Sequence, residues 1–190
     1  QVLGGNGLPP VTGQIFWVNN STVLPPDGYT GSNGNSGESP QEAFSTIAYA
    51  VSQCTANRGD RIYVLPGHSE TVAATDLTFN IAGVQVVGIG QGSKRPTLNL
   101  DATGSTVAIT AAETSLENFL ITGGVDAITA VMTISAADVK ILNTEIRSVT
   151  GDPIVSILTT AAANRLEIAG CRFTGSANAT ATAYIALVGG

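Results

Sequence analysis

The chain has 190 residues, 43% of them apolar and only 12% charged, with a net charge of −6. The eight Lys and Arg residues form no basic stripe, which argues against a nucleic-acid partner. No apolar run approaches the roughly 18 residues of a helical membrane span, so no membrane partner is expected.

One domain with a sizeable core fits this length. Ordinary domains carry about twice this charged fraction. The polar surface must therefore come from Thr, Ser, Asn and backbone, which suits a rigid repetitive shaft or a chain whose sides are covered in an oligomer. Cys54 and Cys171 are expected to be buried, free and structural; a disulfide between them is the alternative. Nothing matches zinc-ligand spacing, and no cofactor or metal is expected.

Residues 1–14, with several Gly and Pro9-Pro10, read as an extended arm that lies on a neighbour. They lack the pattern of a signal peptide and an initiator Met, so a processed or truncated chain is expected. Residues 15–190 form the single domain. Ile15-Phe16-Trp17-Val18 is a short strand. Asn19 to Ser39 is a long loop with turn signals at Pro26-Asp27-Gly28 and Ser32-Asn33-Gly34, of the length that often carries contacts. Its carboxylates, Asp27 and Glu38, do not make the alternating acidic pattern of a calcium loop.

Ser39-Pro40-Gln41-Glu42 predicts a helix start, with Ser as N-cap, Pro in the first turn and Glu three places after the cap. Ala43, Phe44, Ile47, Ala50, Val51 and Cys54 continue at helical spacing, so a helix over 39–55 is expected. Its physical task is to cover the open edge of the strands C-terminal to it. Arg61 to Leu65 is the next strand, closed by Pro66-Gly67, and rungs are expected over 61–190.

The region from Thr114 to Phe173 holds three copies of one pattern: Leu116 to Ile121, Ile141 to Ile146 and Ile168 to Phe173. They start 25 and 27 residues apart, and a weaker copy at Val86 precedes the first by 30. Each has an aliphatic first place, Asn or Gly third and Ile or Phe sixth. That is strand, bend, strand, since Asn and Gly tolerate left-handed backbone. Further strand-like pieces, Val107 to Thr110, Ala130 to Ile134 and Ile154 to Leu158, lie between copies. The joins Ala111–Glu113, Ala136–Asp138 and Ala161–Asn164 are too short for helices. Short strands repeating at this period describe a parallel β-helix; a β-sandwich with chance similarity among strands is the alternative. Val86, Leu116, Ile141, Ile168, Ile121, Ile146 and Phe173 should point inward. Asn118 and Asn143 should stack at one corner and share amide hydrogen bonds. The close at Ile185-Ala186-Leu187-Val188-Gly189-Gly190 shows no polar cap, so a closed homo-oligomer, a trimer first, is expected.

Phe16-Trp17-Val18, Gly31 to Pro40, Ala43 to Ile47 and Gly59 to Gly67, with Val86 to Gly90 and Arg95-Pro96-Thr97, resemble the entry module of the pectate-lyase-like right-handed β-helix superfamily. They are most similar to the β-helix repeat proteins of tailed bacteriophages. The resemblance spans roughly residues 15 to 175. It implies an all-β, right-handed parallel β-helix of about four to five rungs, with an N-terminal capping helix and an extended arm. The superfamily includes lyases, hydrolases, tailspikes and inert virion proteins, so fold alone does not decide activity.

Candidate chemistry is sparse. Gly88-Ile89-Gly90-Gln91-Gly92 has Ser93 where a dinucleotide loop needs a third Gly and no helix after it, so it reads as a turn. His68, the sole histidine, could pair with Glu70 for acid–base work, but Ser69 lacks a nucleophile elbow. Glycoside cleavage needs two carboxylates at fixed separation. Glu117 and Glu145 occupy the second and fifth places of the repeat and do not stack; Asp126 and Asp152 fall in turns. Asn143-Thr144-Glu145 and Gly67-His68-Ser69 are partial, misordered echoes of polygalacturonase motifs. Lys140, Arg147, Arg165 and Arg172 are scattered in sequence. Sequons at Asn19, Asn20 and Asn178 are expected to be chance. The expectation is a non-enzymatic structural virion protein with no catalytic residue: a capsid decoration or cement protein, bound through its arm to the major capsid protein or another virion protein. A tail fibre or tailspike adhesin, or a polysaccharide depolymerase, is the alternative.

Overall fold

The computed structural model describes residues 13–20, 30–73, 77–123, 125–148, 155–175 and 183–188. The expected arm (but for Gly13 and Gln14), the Pro26-Asp27-Gly28 turn, Asp152, the Asn178 sequon and Gly189-Gly190 lie outside the described residues.

Three parallel sheets wrap one core. Sheet one stacks Ile15–Val18, Arg61–Val64, Gln85–Gly88, Ser115–Glu117, Lys140–Leu142 and Glu167–Ala169. Sheet two stacks Ser69–Val72, Thr97–Leu100, Leu120–Gly123, Glu145–Ser148 and Arg172–Thr174. Sheet three stacks Leu77–Phe79, Val107–Ile109, Ala130–Ile134, Val155–Thr159 and Ala183–Ala186. The chain visits sheets one, two and three in turn, five times after the first strand. This is a parallel β-helix.

The repeat sets the register. Val86, Leu116, Ile141 and Ile168 pair in one column, and Ile121, Ile146 and Phe173 in another. Val86, Leu116, Ile141, Ile121 and Ile146 are buried. Ile168 and Phe173, in the last rung, are half-buried against the same core. No rung could bury its own inward side chains; stacking on both sides does so.

At the corner between sheets one and two, Asn118, Asn143 and Gly170 have φ of 62°, 50° and 66°. The left-handed column is present, but the expected amide sharing is not. Asn118 donates through Nδ2 to the Gly88 and Gly90 carbonyls at 2.8 and 2.9 Å. Asn143 donates to Glu117 Oε1 at 3.3 Å and is exposed. Each amide instead reaches an acceptor in the rung before it. A second left-handed column, Gly83, Glu113, Asp138 and Arg165, lies in the joins before sheet one.

The expected helix over 39–55 is two pieces. Ser39 caps a 3-10 turn, Pro40–Glu42, accepting from the Glu42 N–H. Ala43 and Phe44 then run extended. Phe44 bridges to Val18, donating to the Trp17 carbonyl while its own carbonyl accepts from the Asn19 N–H, both at 2.8 Å. Ser45 and Thr46 are held by Asn33 Oδ1, and a second cap, Thr46, starts the α-helix Ile47–Gln53. Tertiary pairing to the first strand wins over local helix preference. Gly37, at φ 73°, lies so close to Phe44 that a Cβ would meet its ring at 2.2 Å. The α-helix buries Ile47, Ala50 and Val51 over the first rungs. No helix among the described residues is long and apolar enough to cross a membrane.

Candidate functional site

The polar groups of the cap close on themselves. His68 is buried, with Nδ1 accepting from the Asn20 N–H at 3.1 Å and Nε2 facing Glu70 Oε2 at 3.1 Å. The same Glu70 oxygen accepts from the Ile47 N–H at 2.9 Å, at the helix start. An acceptor Nδ1 fixes the neutral tautomer with the proton on Nε2. Both ring nitrogens are thus occupied by the fold, and neither faces a substrate. Asn20 also clasps Ser69, donating to its carbonyl at 2.6 Å and accepting from its N–H at 2.9 Å. Asn19 is buried, so neither sequon residue presents a free amide for glycosylation.

Asp60, fully buried, is a second hub. It accepts from the Gln14 and Thr55 N–H groups at 2.7 Å each, and from Arg58 Nε and Nη2 at 2.7 Å each. Burial pushes its carboxyl up, but the hydrogen bonds from Arg58, Thr55 and Gln14 and the Arg58 charge outweigh burial and hold it below the usual carboxylate range. Cys54 and Cys171 are free thiols, buried and half-buried. Burial, with the Asp60 charge adding, pushes Cys54 up to about 12; burial raises Cys171 as well. Neither is a nucleophile of lowered pKa.

An open groove of about 730 Å³ crosses the outer face of sheet one, past Glu113, Ser115, Glu117, Asp138 and Lys140. Its charges are mostly spoken for. Asp138 pairs with Arg165, which holds that carboxyl below its ordinary range, and Lys140 pairs with Glu167 at 3.0 Å. Among the described residues no three His, Cys, Asp or Glu side chains gather as metal ligands would.

Sheet two carries a further depression. Glu145, 8% exposed, accepts at Oε1 from Arg147 Nε and Nη2 at 3.0 and 2.8 Å. Arg95 Nη1 reaches Oε2 at 3.3 Å. Glu145 pairs in register with Leu120 on one side and Arg172 on the other. Arg95 and Arg147 thus converge on one carboxylate, and Arg172 stands in register with it on the next strand. Lys140 and Arg165 remain apart, in their own pairs. The repeat held the signal, because Leu120, Glu145 and Arg172 share its fifth place. Glu117, on sheet one, is on a different face from Glu145, so the two cannot flank one glycosidic bond.

The strand order and register define a parallel β-helix. Among solved structures the chain is similar to a rhamnogalacturonan lyase, with a TM-score of 0.52 and 15% identity, over 85% of this chain and 50% of that one. The chain spans about half the length of that enzyme. No family model matches, and no curated protein matches.

Proposed function

We propose that this chain is a non-catalytic structural protein of a tailed-bacteriophage virion, a decoration or cement protein that acts as a homo-oligomer, a trimer first, on the capsid surface. The observation that supports it best is the state of His68. The group best suited to acid–base work joins the chain just after the first strand to the strand Ser69–Val72 and, through Glu70, to the helix start, with both nitrogens engaged. Asp60 is spent in the same way on the cap. The expected arm, apart from Gly13 and Gln14, which pack on the cap, is the segment proposed to drape over the major capsid protein or another virion protein. The phage assignment itself rests on the sequence resemblance.

The second reading, a polysaccharide lyase or hydrolase, draws on the likeness to a rhamnogalacturonan lyase. Copy number in purified particles tests the first: hundreds per virion fit decoration, and a few to a few dozen place the protein in the tail. Deleting residues 1–13 should abolish particle binding and leave the β-helix folded; normal binding would overturn the role of the arm. Cleavage of a host polysaccharide by purified protein, lost in His68→Ala or Glu145→Gln, would establish the second reading instead.

A further inference from the structure

We propose that the outer face of sheet two, at Arg147 and Arg172, docks into the groove on sheet one of a second copy of this chain. The inference rests on the homo-oligomer reading above and names the two faces that meet.

Charge singles out these faces. On sheet two and the turn before it, Arg95, Arg147 and Arg172 stand against Glu145, three cations to one carboxylate, a net of +2. Arg172 is exposed and forms no ion pair among the described residues. In and beside the sheet-one groove, Glu113, Glu117, Asp138 and Glu167 stand against Lys140 and Arg165, four carboxylates to two cations, a net of −2. Glu113 is exposed, and neither it nor Glu117 has a cation partner among the described residues. Sheet three competes with neither face: its outward residues Thr78, Ala108, Thr133, Leu158 and Ala186 are uncharged.

Position and shape agree with charge. The rung that holds Asp138 also holds Arg147; Glu113 and Glu117 lie one rung before it, and Arg172 one rung after. The acidic and basic patches thus sit at nearly the same height along the stack. A rotation axis parallel to the stack preserves height. It can bring one patch onto the other in every copy, a heterologous contact that closes into a ring. The groove is open and holds about 730 Å³, room for the arginine side chains of a neighbour. Each patch also carries a half-buried leucine, Leu142 in the groove and Leu120 in register with Glu145. Exposed ion pairs alone contribute little. Apolar contact at the leucines supplies affinity, and the charges set partner choice and register.

Sedimentation velocity of the full chain at two salt concentrations, with charge-reversed variants, tests this. Wild type should associate at about 0.1 M salt and weaken by about tenfold or more at about 1 M, where screening shortens to about 3 Å. The pair Arg147→Glu and Arg172→Glu should dissociate the oligomer, and so should the pair Glu113→Lys and Glu117→Lys, with unchanged circular dichroism showing that each folds. A chain carrying all four changes should associate again, because each face then meets its opposite. The salt series on wild type decides the matter even where a reversed chain does not fold. A wild-type oligomer that resists salt and survives both pairs of changes would overturn this contact and leave the homo-oligomer built on another face. Loss of association in both pairs without recovery in the fourfold chain would overturn the pairing of these two faces. A wild type that is monomeric at low salt would overturn the contact and the homo-oligomer reading together.

Discussion

The cap and the rungs of this molecule are held by opposite means. Between residues 13 and 72 the contacts that fix the chain are buried polar hubs: Asp60, Asn33, and the pair His68–Glu70. From residue 77 onward most inward positions are apolar, with Thr144 and Thr159 as buried exceptions, and many of the middle-rung side chains have no measurable exposure. A repeat can reuse one apolar column because each rung presents the same surface to the next. The cap meets a different surface on each side, so it needs directional bonds that join specific atoms. The difference teaches where each kind of damage should tell: cavities in the rungs, lost charge in the cap.

The largest effect is expected in a middle rung. Ile141 is fully buried between Leu116 and Ile168. Ile141→Ala should destabilise by about 3–4 kcal/mol, measured by urea unfolding, because rungs on both sides limit collapse of the cavity. Ile168→Ala, at a half-buried site, should cost about 1 kcal/mol. Equal costs would show that the described last rung is as enclosed as the middle.

Breaking the cap by charge is expected to come next. Asp60→Ala leaves two backbone N–H groups without their acceptor and removes the carboxylate from Arg58, and should cost about 3 kcal/mol. The pH dependence has a fixed sign. The folded pKa of Asp60 is depressed, so its contribution is present above the unfolded value of about 3.9 and is lost as pH falls through the folded value. Wild type should lose stability in acid, below about pH 4, more steeply than Asp60→Ala, as thermal melts at stepped pH would show. Parallel pH profiles would remove Asp60 as the cause.

Much of the rung architecture is legible because one spacing encodes it. Places one and six of the repeat mark the inward columns, and place three marks the left-handed corner at Asn118, Asn143 and Gly170. The second left-handed corner is only half-written in the sequence: Gly83 and Asp138 tolerate such backbone, but Glu113 and Arg165 do not announce it. The divided helix is hidden for a different reason. Ala43 and Phe44 satisfy helical periodicity, yet the Phe44 backbone groups are claimed by Trp17 and Asn19, far away in the chain. The arginine cluster requires the register itself: Arg95 and Arg147 reach Glu145 from positions 50 and 2 residues away.

The two corner asparagines should differ from each other. Asn118→Leu loses two good hydrogen bonds and a tolerant left-handed residue, and should cost about 2 kcal/mol. The expectation that Asn143 shares an amide hydrogen bond with Asn118 needs correction. Asn143 is exposed with one 3.3 Å contact, so Asn143→Leu should cost about 1 kcal/mol, mainly from backbone strain. Asn143→Gly should restore most of it, which urea midpoints of the three variants would check.

The smallest effect separates the two regions without altering either core. Cys54 ends the capping helix and donates to the Ala50 carbonyl at 3.4 Å; Cys171 lies in the last rung and donates to the Ile141 carbonyl at 3.4 Å. Each thiol therefore reports on one region. Burial pushes the Cys54 thiol up to about 12, so it is held as the unreactive thiol and reacts only when the cap opens. A disulfide reagent should label Cys171 first and Cys54 much later. Asp60→Ala should speed Cys54 severalfold and leave Cys171 unchanged, because the lost bonds lie in the cap. Ile141→Ala should speed Cys171 and leave Cys54 nearly unchanged. If both variants speed both thiols alike, cap and rungs open as one unit, and their different bonding has no separate consequence for local stability.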